Sequence, residues 1–204
     1  MHGETAPPPD PRLLSLQDLV FPLDGHSFQL PEDAGERAHA AVSLILRSEE
    51  ELELLLIRRA VAKGDPWSGQ MALPGGRRDA SDPSLYHTAA RETEEETGVS
   101  LETTGFPIGR LEPMTPATHR LPPILIFPFV FGVPSGTRAV VASREIDEVL
   151  WVPLSSFQQP EAQSTVGISY PDGTSRDFPC FRIEDRVVWG LTYRILTGFF
   201  RVLG

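Results

Sequence analysis

Three glutamates near the middle of the chain have the residue type and spacing that metal chemistry requires. They lie in RETEEETGV, from Arg91 to Val99, and in a helix Glu92, Glu95 and Glu96 share one face. Two carboxylates about 4 Å apart repel by about 4 kcal/mol at an effective dielectric constant of 20. A divalent cation relieves this repulsion, and water-exposed carboxylate oxygens suit Mg²⁺ or Mn²⁺. The pattern therefore predicts a metal site; a solvated acidic helix face is the alternative.

A glycine pair and a group of cations precede the glutamates. Gly75 and Gly76 have no Cβ, so their backbone can approach another group closely. Because the chain has a net charge of −10, an anionic substrate needs cations gathered at its site. The nearby candidates, for which a solubilising surface role is an equal alternative, are Arg58, Arg59, Lys63, Arg77 and Arg78.

The segment that carries the glutamates has the end signals of a helix. Asp82 suits the N-cap, Pro83 suits the first helical position and Gly98 suits the C-terminal cap. The residues between them, SLYHTAARETEEET, include many good helix formers. Glutamates in the last turns oppose the helix dipole and repel one another, so helix stability alone does not account for them.

Apolar runs on both sides of this helix predict strands. AHAAVSLILR (38–47) and LELLLIRR (52–59) form a hairpin, and QMALPGG is a short strand that ends in the glycine pair. Later segments are assigned as strands at Phe106–Glu112, Leu125–Gly132 and EVLWVPL with a turn at Leu154 to Phe157, a hairpin at SYPDGTSRDF with Asp172-Gly173 at its tip, and a closing amphipathic helix at VVWGLTYRILTGFFRVL.

This order of elements predicts the α+β class, with helices packed on a mixed or mainly antiparallel sheet. The last helix has an apolar stripe, which we assign to the core. A membrane surface and the face of a homodimer are the alternatives for that stripe. Its members are Trp189, Leu191, Ile195, Leu196 and Phe199.

The composition narrows the class of protein. A length of 204 residues favours one domain, placed at 36–204 behind an N-terminal arm at 1–35. The first ~12 residues of the arm are rich in proline and are expected to be disordered. The acidic charge argues against a general nucleic-acid binder. The single cysteine, Cys180, is expected to be a packed thiol, and neither a secretory signal nor a membrane span is recognisable. We expect a soluble cytoplasmic protein.

The stretch from Gly75 to Val99 resembles the Nudix box, G-x5-E-x7-R-E-U-x-E-E-x-G-U, where U is bulky and apolar. Gly76 matches the first glycine, and RE (91–92), EE (95–96) and GV (98–99) match the later pairs. Asp82 stands where the box has its first glutamate, and one extra residue separates it from the RE pair. Thr93 occupies an apolar position, where its methyl group can pack.

Longer segments resemble the coenzyme A diphosphatases of this superfamily, and the likeness extends from Ala38 to Leu203. It is carried by LLIRRA…SGQMALPGG, GGRRDASDPSLYHTAARE, EIDEVLWVPL and WGLTYRIL. Arg59 matches the earlier arginine of the coenzyme A signature. The later arginine has no counterpart in the loop KGDPWSG, where Lys63 is the nearest cation.

The resemblance implies a Nudix fold, an α/β/α sandwich with a mixed sheet and a catalytic loop-helix-loop. It also implies that a metal-activated water cleaves the diphosphate bond of a nucleoside-diphosphate compound, with Mg²⁺ or Mn²⁺ held by Glu92, Glu95 and Glu96. Coenzyme A or a derivative would yield 3′,5′-ADP and 4′-phosphopantetheine. A (d)NTP or ADP-ribose diphosphatase is the alternative among enzymes, and a catalytically silent Nudix-fold binding module is the alternative of another class.

The resemblance also implies roles for further residues. The catalytic set would be Glu92, Glu95, Arg91 and Glu145, with Arg91 orienting the glutamates. Glu145 is preferred over Glu148 as the fourth carboxylate, because Glu148 is expected to begin a strand. Contacts to the substrate are expected from Arg58, Arg59, Gly75, Gly76 and Arg77.

Overall fold

The computed structural model describes residues 15–17, 19, 35, 38–62, 68–116, 123–170 and 173–203. The expected disorder of the first dozen residues, the cation Lys63 and the hairpin-tip residue Asp172 lie outside these ranges. The strands are β1 (Ala38–Ser48), β2 (Leu52–Arg59), β3 (Met71–Ala72), β4 (Gly75–Arg77), β5 (Phe106–Arg110), β6 (Ile124–Gly132), β7 (Ile146–Pro153), β8 (Gln163–Ser169), β9 (Ser175–Ile183) and β10 (Arg186–Trp189). The helices are α1 (Leu85–Thr97), α2 (Leu154–Gln158) and α3 (Gly190–Leu203), with a 3₁₀ turn at Pro160–Ala162.

Strand β1 is the centre of a mixed seven-stranded sheet. It runs parallel to β6 on one side. On its other side it pairs antiparallel with β4 at Ala40–Val42 and antiparallel with β2 at Leu46–Ser48. The path is β3-β2-β1-β6-β5, with β7 on β2, and this arrangement confirms the predicted mixed sheet. β4 and β2 therefore pair with the same edge of β1, and the glycine pair in β4 lies beside this central strand.

The two faces of this sheet are covered by different layers. Successive side chains of β1 point to opposite faces. Ala41 and Ile45 belong to the buried cluster under α1. Leu44 and Leu46 belong to the larger cluster under α3, α2 and β9. Burial of apolar side chains on both faces therefore fixes α1 on one side of the sheet and α3 on the other.

Three expectations about element bounds were wrong. The glycine pair opens β4 instead of ending β3, because the chain turns at Leu73–Pro74 between the two short strands. The turn at Leu154 is the short helix α2. The residues VVW form β10, which pairs with β9, and the last helix starts only at Gly190. Gly190 has φ 64, a conformation that glycine adopts easily, and it separates strand from helix.

A second, three-stranded sheet in the order β10-β9-β8 was only partly foreseen. The predicted hairpin is present as β8 and β9, which pair from Gln163↔Phe181 to Ser169↔Ser175. The third strand, β10, was hidden in the sequence assigned to the closing helix. This small sheet packs with α3 on the same side of the main sheet, since Phe181, Val188 and Ile195 share one buried cluster.

The apolar stripe of the last helix lies in the core, as predicted. Ile195, Leu196 and Phe199 are buried on α3. Trp189 belongs to β10 instead, and its ring lies 5.6 Å from that of Phe178, centroid to centroid. The lone thiol of Cys180 is buried, as expected. In the described part of the chain, no helix is both long and apolar enough to cross a membrane.

Candidate active site

Helix α1 begins two residues later than predicted. Ser84, not Asp82, is the N-cap, and its hydroxyl accepts a bond from the backbone N–H of His87 at 3.4 Å. Pro83 precedes the cap. The C-terminal end is as predicted: Gly98 has φ 68, and its N–H donates to the carbonyl of Glu94 at 2.9 Å. The glutamates therefore occupy the last turns of a helix that ends at a left-handed glycine.

Asp82 misses the cap because its carboxylate anchors the loop that leads from β4 to α1. It is buried and accepts from Arg91 at 2.9 and 3.0 Å, from the N–H of Asp79 at 2.9 Å and from the hydroxyl of Thr88 at 2.9 Å. The bonds from Arg91 hold the pKa of Asp82 well below its usual range. The residue that departs from the box consensus thus binds the arginine of the same box.

Arg91 also contacts two of the three glutamates. One guanidinium nitrogen lies 2.9 Å from Glu92 and 3.2 Å from Glu95, and another donates to the carbonyl of Arg77 at 3.3 Å. A planar guanidinium presents several donors in a fixed geometry, so it can hold several acceptors at once. Arg91 therefore links the loop, the glycine strand and the acidic helix face.

The glycine pair packs directly against the carboxylates of Glu92 and Glu96. The N–H of Gly75 donates to Glu96 at 2.9 Å. A Cβ on Gly76 would lie 2.4 Å from the carboxylate carbon of Glu92, so a side chain there would displace that carboxylate. Gly75 itself has φ 149, and a Cβ there would lie 2.3 Å from the carbonyl oxygen of Ala41. Gly75 therefore requires glycine, because a Cβ would meet the backbone of β1, and glycine at Gly76 lets the Glu92 carboxylate lie against β4.

Burial makes two of the glutamates hard to ionise. Glu96 is only 5% exposed, and burial raises its pKa to about 7, against the opposing hydrogen bond from Gly75. Burial also raises the pKa of Glu92, and Arg91 counteracts the rise. Glu95 has 58% of its side chain exposed. The site thus combines two desolvated carboxyl groups with one that faces water.

Glu145 and Arg59 lie on the Glu96 side of the site. Their side chains are 3.8 Å apart, and the N–H of Ala60 donates to the carbonyl of Glu145 at 2.7 Å. Both charges act on the pKa of Glu96: Arg59 lowers it and Glu145 raises it. Glu145 itself is 75% exposed. A carboxylate and a guanidinium from the ends of β2 and β7 thus flank the buried glutamate.

Arg58 is not gathered with the glutamates of α1. Its guanidinium lies 3.4 Å from Asp147 and 3.5 Å from Glu148. Glu148 is bound more tightly by Arg186 of β10, whose hydrogen bond lowers the pKa of that carboxyl. Glu148 lies within β7 instead of beginning it. Arg58 and Glu148 therefore belong to an ion network that joins the two sheets.

Arg77 places its backbone, not its charge, against the predicted site. Its carbonyl oxygen accepts from Arg91, while its side chain is exposed. The loop residue Lys63 lies outside the described residues. Among the predicted cations that the structure describes, Arg59 is the one whose charge acts on the pKa of Glu96, while Arg78 donates to the carbonyl of Asp82 at 3.1 Å.

The donor set of the site fits a hard divalent cation. Among the residues that the structure describes, no three His, Cys, Asp or Glu side chains form a ready-made metal cage. Glu92 and Glu95 are drawn to Arg91, while Glu96 is drawn to Gly75. All three nevertheless offer carboxylate oxygens, and burial is the main cause of the raised pKa values of Glu92 and Glu96. Carboxylate oxygens are the hard donors that Mg²⁺ and Mn²⁺ prefer.

A hydroxyl contact behind the glutamates was not among the residues predicted from the sequence. Ser43 of β1 donates to the carbonyl of Ala89 at 3.2 Å and accepts from the hydroxyl of Thr93 at 2.9 Å. Ser43 is a lone hydroxyl within the apolar run AAVSLIL, and Thr93 stands at an apolar position of the box pattern. These two departures from apolar patterning were the available signal.

The loop between β6 and β7 also caps the acidic helix. The N–H groups of Val140 and Ala142 donate to the carbonyls of Thr97 and Glu96 at 2.9 and 3.1 Å. These bonds satisfy carbonyl groups that a helix C-terminus leaves unpaired. The same loop continues to Glu145, so it connects the end of α1 with the fourth candidate carboxylate.

Comparison with known proteins gives consistent relatives. The NUDIX domain family matches residues 37–171. An uncharacterized Nudix hydrolase, NudL, from Photorhabdus laumondii is 30% identical over 192 residues, which is 90% of this chain and 95% of that protein. The uncharacterized protein C14C4.10c of Schizosaccharomyces pombe is 36% identical over 132 residues, which is 63% of this chain but only 40% of the yeast protein's length.

A solved structure agrees on the fold. The MutT/nudix family protein from Enterococcus faecalis has a TM-score of 0.58 and 19% sequence identity, over 94% of this chain and 71% of that chain. At this identity the likeness concerns the fold alone, and it confirms the expected Nudix fold with a mixed sheet and helices. The family matches residues 37–171, and the hydrolase NudL aligns over 90% of this chain. The chain therefore belongs to the Nudix family and is a hydrolase.

Proposed function

We propose that this hydrolase cleaves the diphosphate bond of a nucleoside-diphosphate compound with the help of Mg²⁺ or Mn²⁺, and that the substrate is coenzyme A or one of its derivatives. The observation that carries the proposal is the packing of Gly75 and Gly76 against Glu96 and Glu92. Glycine backbone lets these carboxylates gather at one place, and carboxylate oxygens are the ligands that Mg²⁺ takes together with phosphate oxygens.

In this proposal Glu92, Glu95 and Glu96 hold the cation. Bound there, it supplies neutralisation of phosphate charge and acidification of the attacking water. Arg91 keeps Glu92 and Glu95 in place through the contacts at 2.9 and 3.2 Å. The loop anchored by Asp82 keeps Arg91 itself fixed. The remaining roles are proton transfer from the attacking water and binding of the substrate phosphates.

Glu145 is the group proposed to accept the proton of the attacking water or to complete the metal ligands. It is exposed, stands next to Arg59 and influences the charge of Glu96. A general base has to reach water at the reacting centre, and an exposed carboxylate at the rim of the site can do so. Glu148 is a poorer candidate because Arg186 and Arg58 already bind it.

Arg59 is proposed to bind a phosphate of the substrate. Its guanidinium lies at the same rim as Glu145, and a guanidinium matches the geometry of phosphate oxygens. Bare backbone at Gly75 and Gly76 is proposed to lie beside the diphosphate. Arg58 and the side chain of Arg77 are less suited, because Arg58 is paired with Asp147 and Glu148.

The choice of coenzyme A rests on sequence segments outside the box. LLIRRA…SGQMALPGG, EIDEVLWVPL and WGLTYRIL resemble the coenzyme A diphosphatases. The missing second signature arginine favours testing ADP-ribose and nucleoside triphosphates alongside. A cytoplasmic location and a homodimer also stay predictions from the sequence.

The test is a substrate panel with Mg²⁺ and with Mn²⁺, comparing coenzyme A, acyl-coenzyme A, ADP-ribose, a dinucleoside polyphosphate and nucleoside triphosphates. Products are separated by chromatography and identified by ³¹P NMR. We expect coenzyme A to give 3′,5′-ADP and 4′-phosphopantetheine. Turnover of triphosphates alone would exclude the coenzyme A assignment while leaving metal-dependent hydrolysis in place.

Glu95→Gln tests the role of the exposed glutamate. We expect kcat to fall at least ~100-fold, the scale seen when one stabiliser of transition-state charge is removed. Glu94→Gln is the matched control, because it removes the same charge from an exposed position on the same helix outside the shared face. Equal kcat in the two variants would mean that Glu95 has no part in the reaction.

A further inference from the structure

Ser43 is fully buried in β1, where it contacts both the segment that precedes the glycine pair and the glutamate helix α1. It lies in β1 between the residues paired with β4, Ala40–Val42, and those paired with β2, Leu46–Ser48. Its backbone N–H donates to the carbonyl of Pro74 at 2.8 Å, immediately before Gly75. Ser43 therefore fixes the chain that delivers the glycine pair.

The side chain of the same residue binds the glutamate helix. The hydroxyl of Ser43 donates to the carbonyl of Ala89 at 3.2 Å and accepts from Thr93 at 2.9 Å. Ser43 and Thr93 are both 0% exposed, so water cannot replace either bond. A buried hydroxyl without a partner is costly, which ties the two groups to one relative position.

We propose that Ser43 is a positioning residue that sets the distance between the glycine pair and the glutamates of α1. Through its backbone it holds Pro74 and Gly75, and through its side chain it holds α1 beside Thr93. The hydrogen bond from Gly75 to Glu96 spans these two held parts. Thr93 neighbours Glu92, whose carboxylate packs closely against Gly76. The metal-related part of this inference rests on the proposed function.

This hydroxyl pair replaces the apolar contact that the box pattern has at the position of Thr93. An apolar pair slides easily, because packing has little direction, whereas a hydrogen bond weakens steeply away from its preferred geometry. In this chain, therefore, the register of α1 on β1 depends on the two directional hydrogen bonds of the Ser43 hydroxyl. Removing only one partner should disturb the register, and removing both should restore ordinary packing.

The experiment compares Ser43→Ala, Thr93→Val and the double variant Ser43→Ala/Thr93→Val with two controls. Ile195→Val removes a buried methyl group from α3 on the opposite face and lowers stability without touching the site. Thr197→Val removes a helix hydroxyl that binds only its own helix, at Tyr193, 2.8 Å away. The readouts are hydrogen exchange of the Gly75 amide in metal-free protein by NMR, Mn²⁺ affinity by electron paramagnetic resonance, and Tm.

Ser43→Ala removes both hydrogen bonds of the hydroxyl. We therefore expect at least about tenfold faster exchange at Gly75 and at least about tenfold weaker Mn²⁺ binding, the scale of one to two net hydrogen bonds. The double variant should recover most of both, and the two controls should lower Tm without moving either readout. The inference is overturned if Ser43→Ala behaves like Ile195→Val. If the wild type binds no Mn²⁺ while exchange at Gly75 still responds to Ser43→Ala, the proposed metal role fails and the positioning role stands.

Discussion

At the scale of single residues, the charged groups of the box that flank the glycine pair bind specific partners. Asp82 binds Arg91, Arg91 binds Glu92 and Glu95, and Glu96 binds Gly75. The consensus glutamate of the box has become a shorter acid one residue further from the arginine. The structure accommodates this change because Asp82 is buried in the loop and reaches Arg91 with both carboxylate oxygens.

Asp82→Asn tests whether this pair anchors the loop. We expect a loss of about 2 kcal/mol in the free energy of unfolding at pH 7, since bonds to a charged partner are lost. The pKa of Asp82 in the folded protein lies below its ordinary value of 3.8. Its contribution is therefore present above pH 3.8 and is lost as the pH falls through the folded value.

The measurement is urea unfolding of metal-free protein at several pH values. The difference between wild type and Asp82→Asn should be constant near neutrality and shrink below about pH 4. Asp79→Asn is the control, because that exposed carboxylate accepts only from Ser81 nearby. A loss as large in Asp79→Asn would show that the loop responds to any change of charge, not to the Arg91 bond.

At the scale of elements, the site depends on how α1 ends. The helix stops at Gly98, and the loop after β6 covers its last carbonyls through Val140 and Ala142. That loop is also held at its other end, where Arg47 donates to the carbonyl of Thr137 at 2.8 Å and Glu49 accepts from the N–H of Gly136. The acidic helix terminus is therefore closed by backbone donors, which offset the unfavourable dipole.

Gly98→Ala and Gly136→Ala separate the effect of backbone strain from the effect of contact between the loop and the end of α1. Both glycines have positive φ, 68 and 73. Alanine should cost about 1 kcal/mol at each from strain alone. A Cβ at Gly98 also lies 3.2 Å from a methyl group of Val140, while a Cβ at Gly136 meets nothing within 4 Å. We therefore expect the larger loss of stability in Gly98→Ala, measured by urea unfolding.

The control for the contact is Val140→Ala, which is mild because Val140 is 59% exposed. Combined with Gly98→Ala it should bring the loss down to that of Gly136→Ala. If Gly98→Ala and Gly136→Ala lower the free energy of unfolding equally, the side chain of Val140 does not pack tightly against the end of α1.

At the scale of the whole molecule, the sequence predicted the parts that local patterns determine. The hairpin of β1 and β2, the glycine end of α1 and the mixed sheet follow from apolar runs, from Gly98 and from the order of elements. The N-terminal cap was misplaced because Asp82 and Pro83 gave the stronger local signal, while Ser84 does the capping. The carboxylate of Asp82 binds Arg91 and Thr88 instead of the helix N-terminus, and Ser84 caps the helix.

What the sequence could not predict depends on contacts between distant segments. VVW reads equally well as helix or strand, and pairing with β9 decides for strand. Leu19 of the N-terminal arm is fully buried in the main cluster. The hydroxyl pair of Ser43 and Thr93 joins residues 50 positions apart in the chain. Such contacts leave at most a lone polar residue in an apolar run as their trace.

The buried charge of Glu96 should be visible in the stability of the whole molecule. The pKa of Glu96 is raised from 4.5 to about 7 in the folded protein. Between these values the unfolded chain gives up its proton more readily than the folded one, so stability falls as the pH rises through this window. The size is about 3 kcal/mol for a shift of about two and a half pKa units. Glu92 adds in the same direction.

We therefore expect urea unfolding in EDTA to show metal-free wild type losing stability from pH 5 to pH 7, and Glu96→Gln to show a much flatter profile. Mn²⁺ should reverse the loss in the wild type near pH 7, because the cation stabilises the ionised carboxylates that only the folded chain brings together. Glu94→Gln, with an exposed carboxylate, should keep the wild-type slope. A slope that survives in Glu96→Gln would assign the pH dependence to other groups. It would also remove the argument that burial leaves Glu96 short of a positive partner.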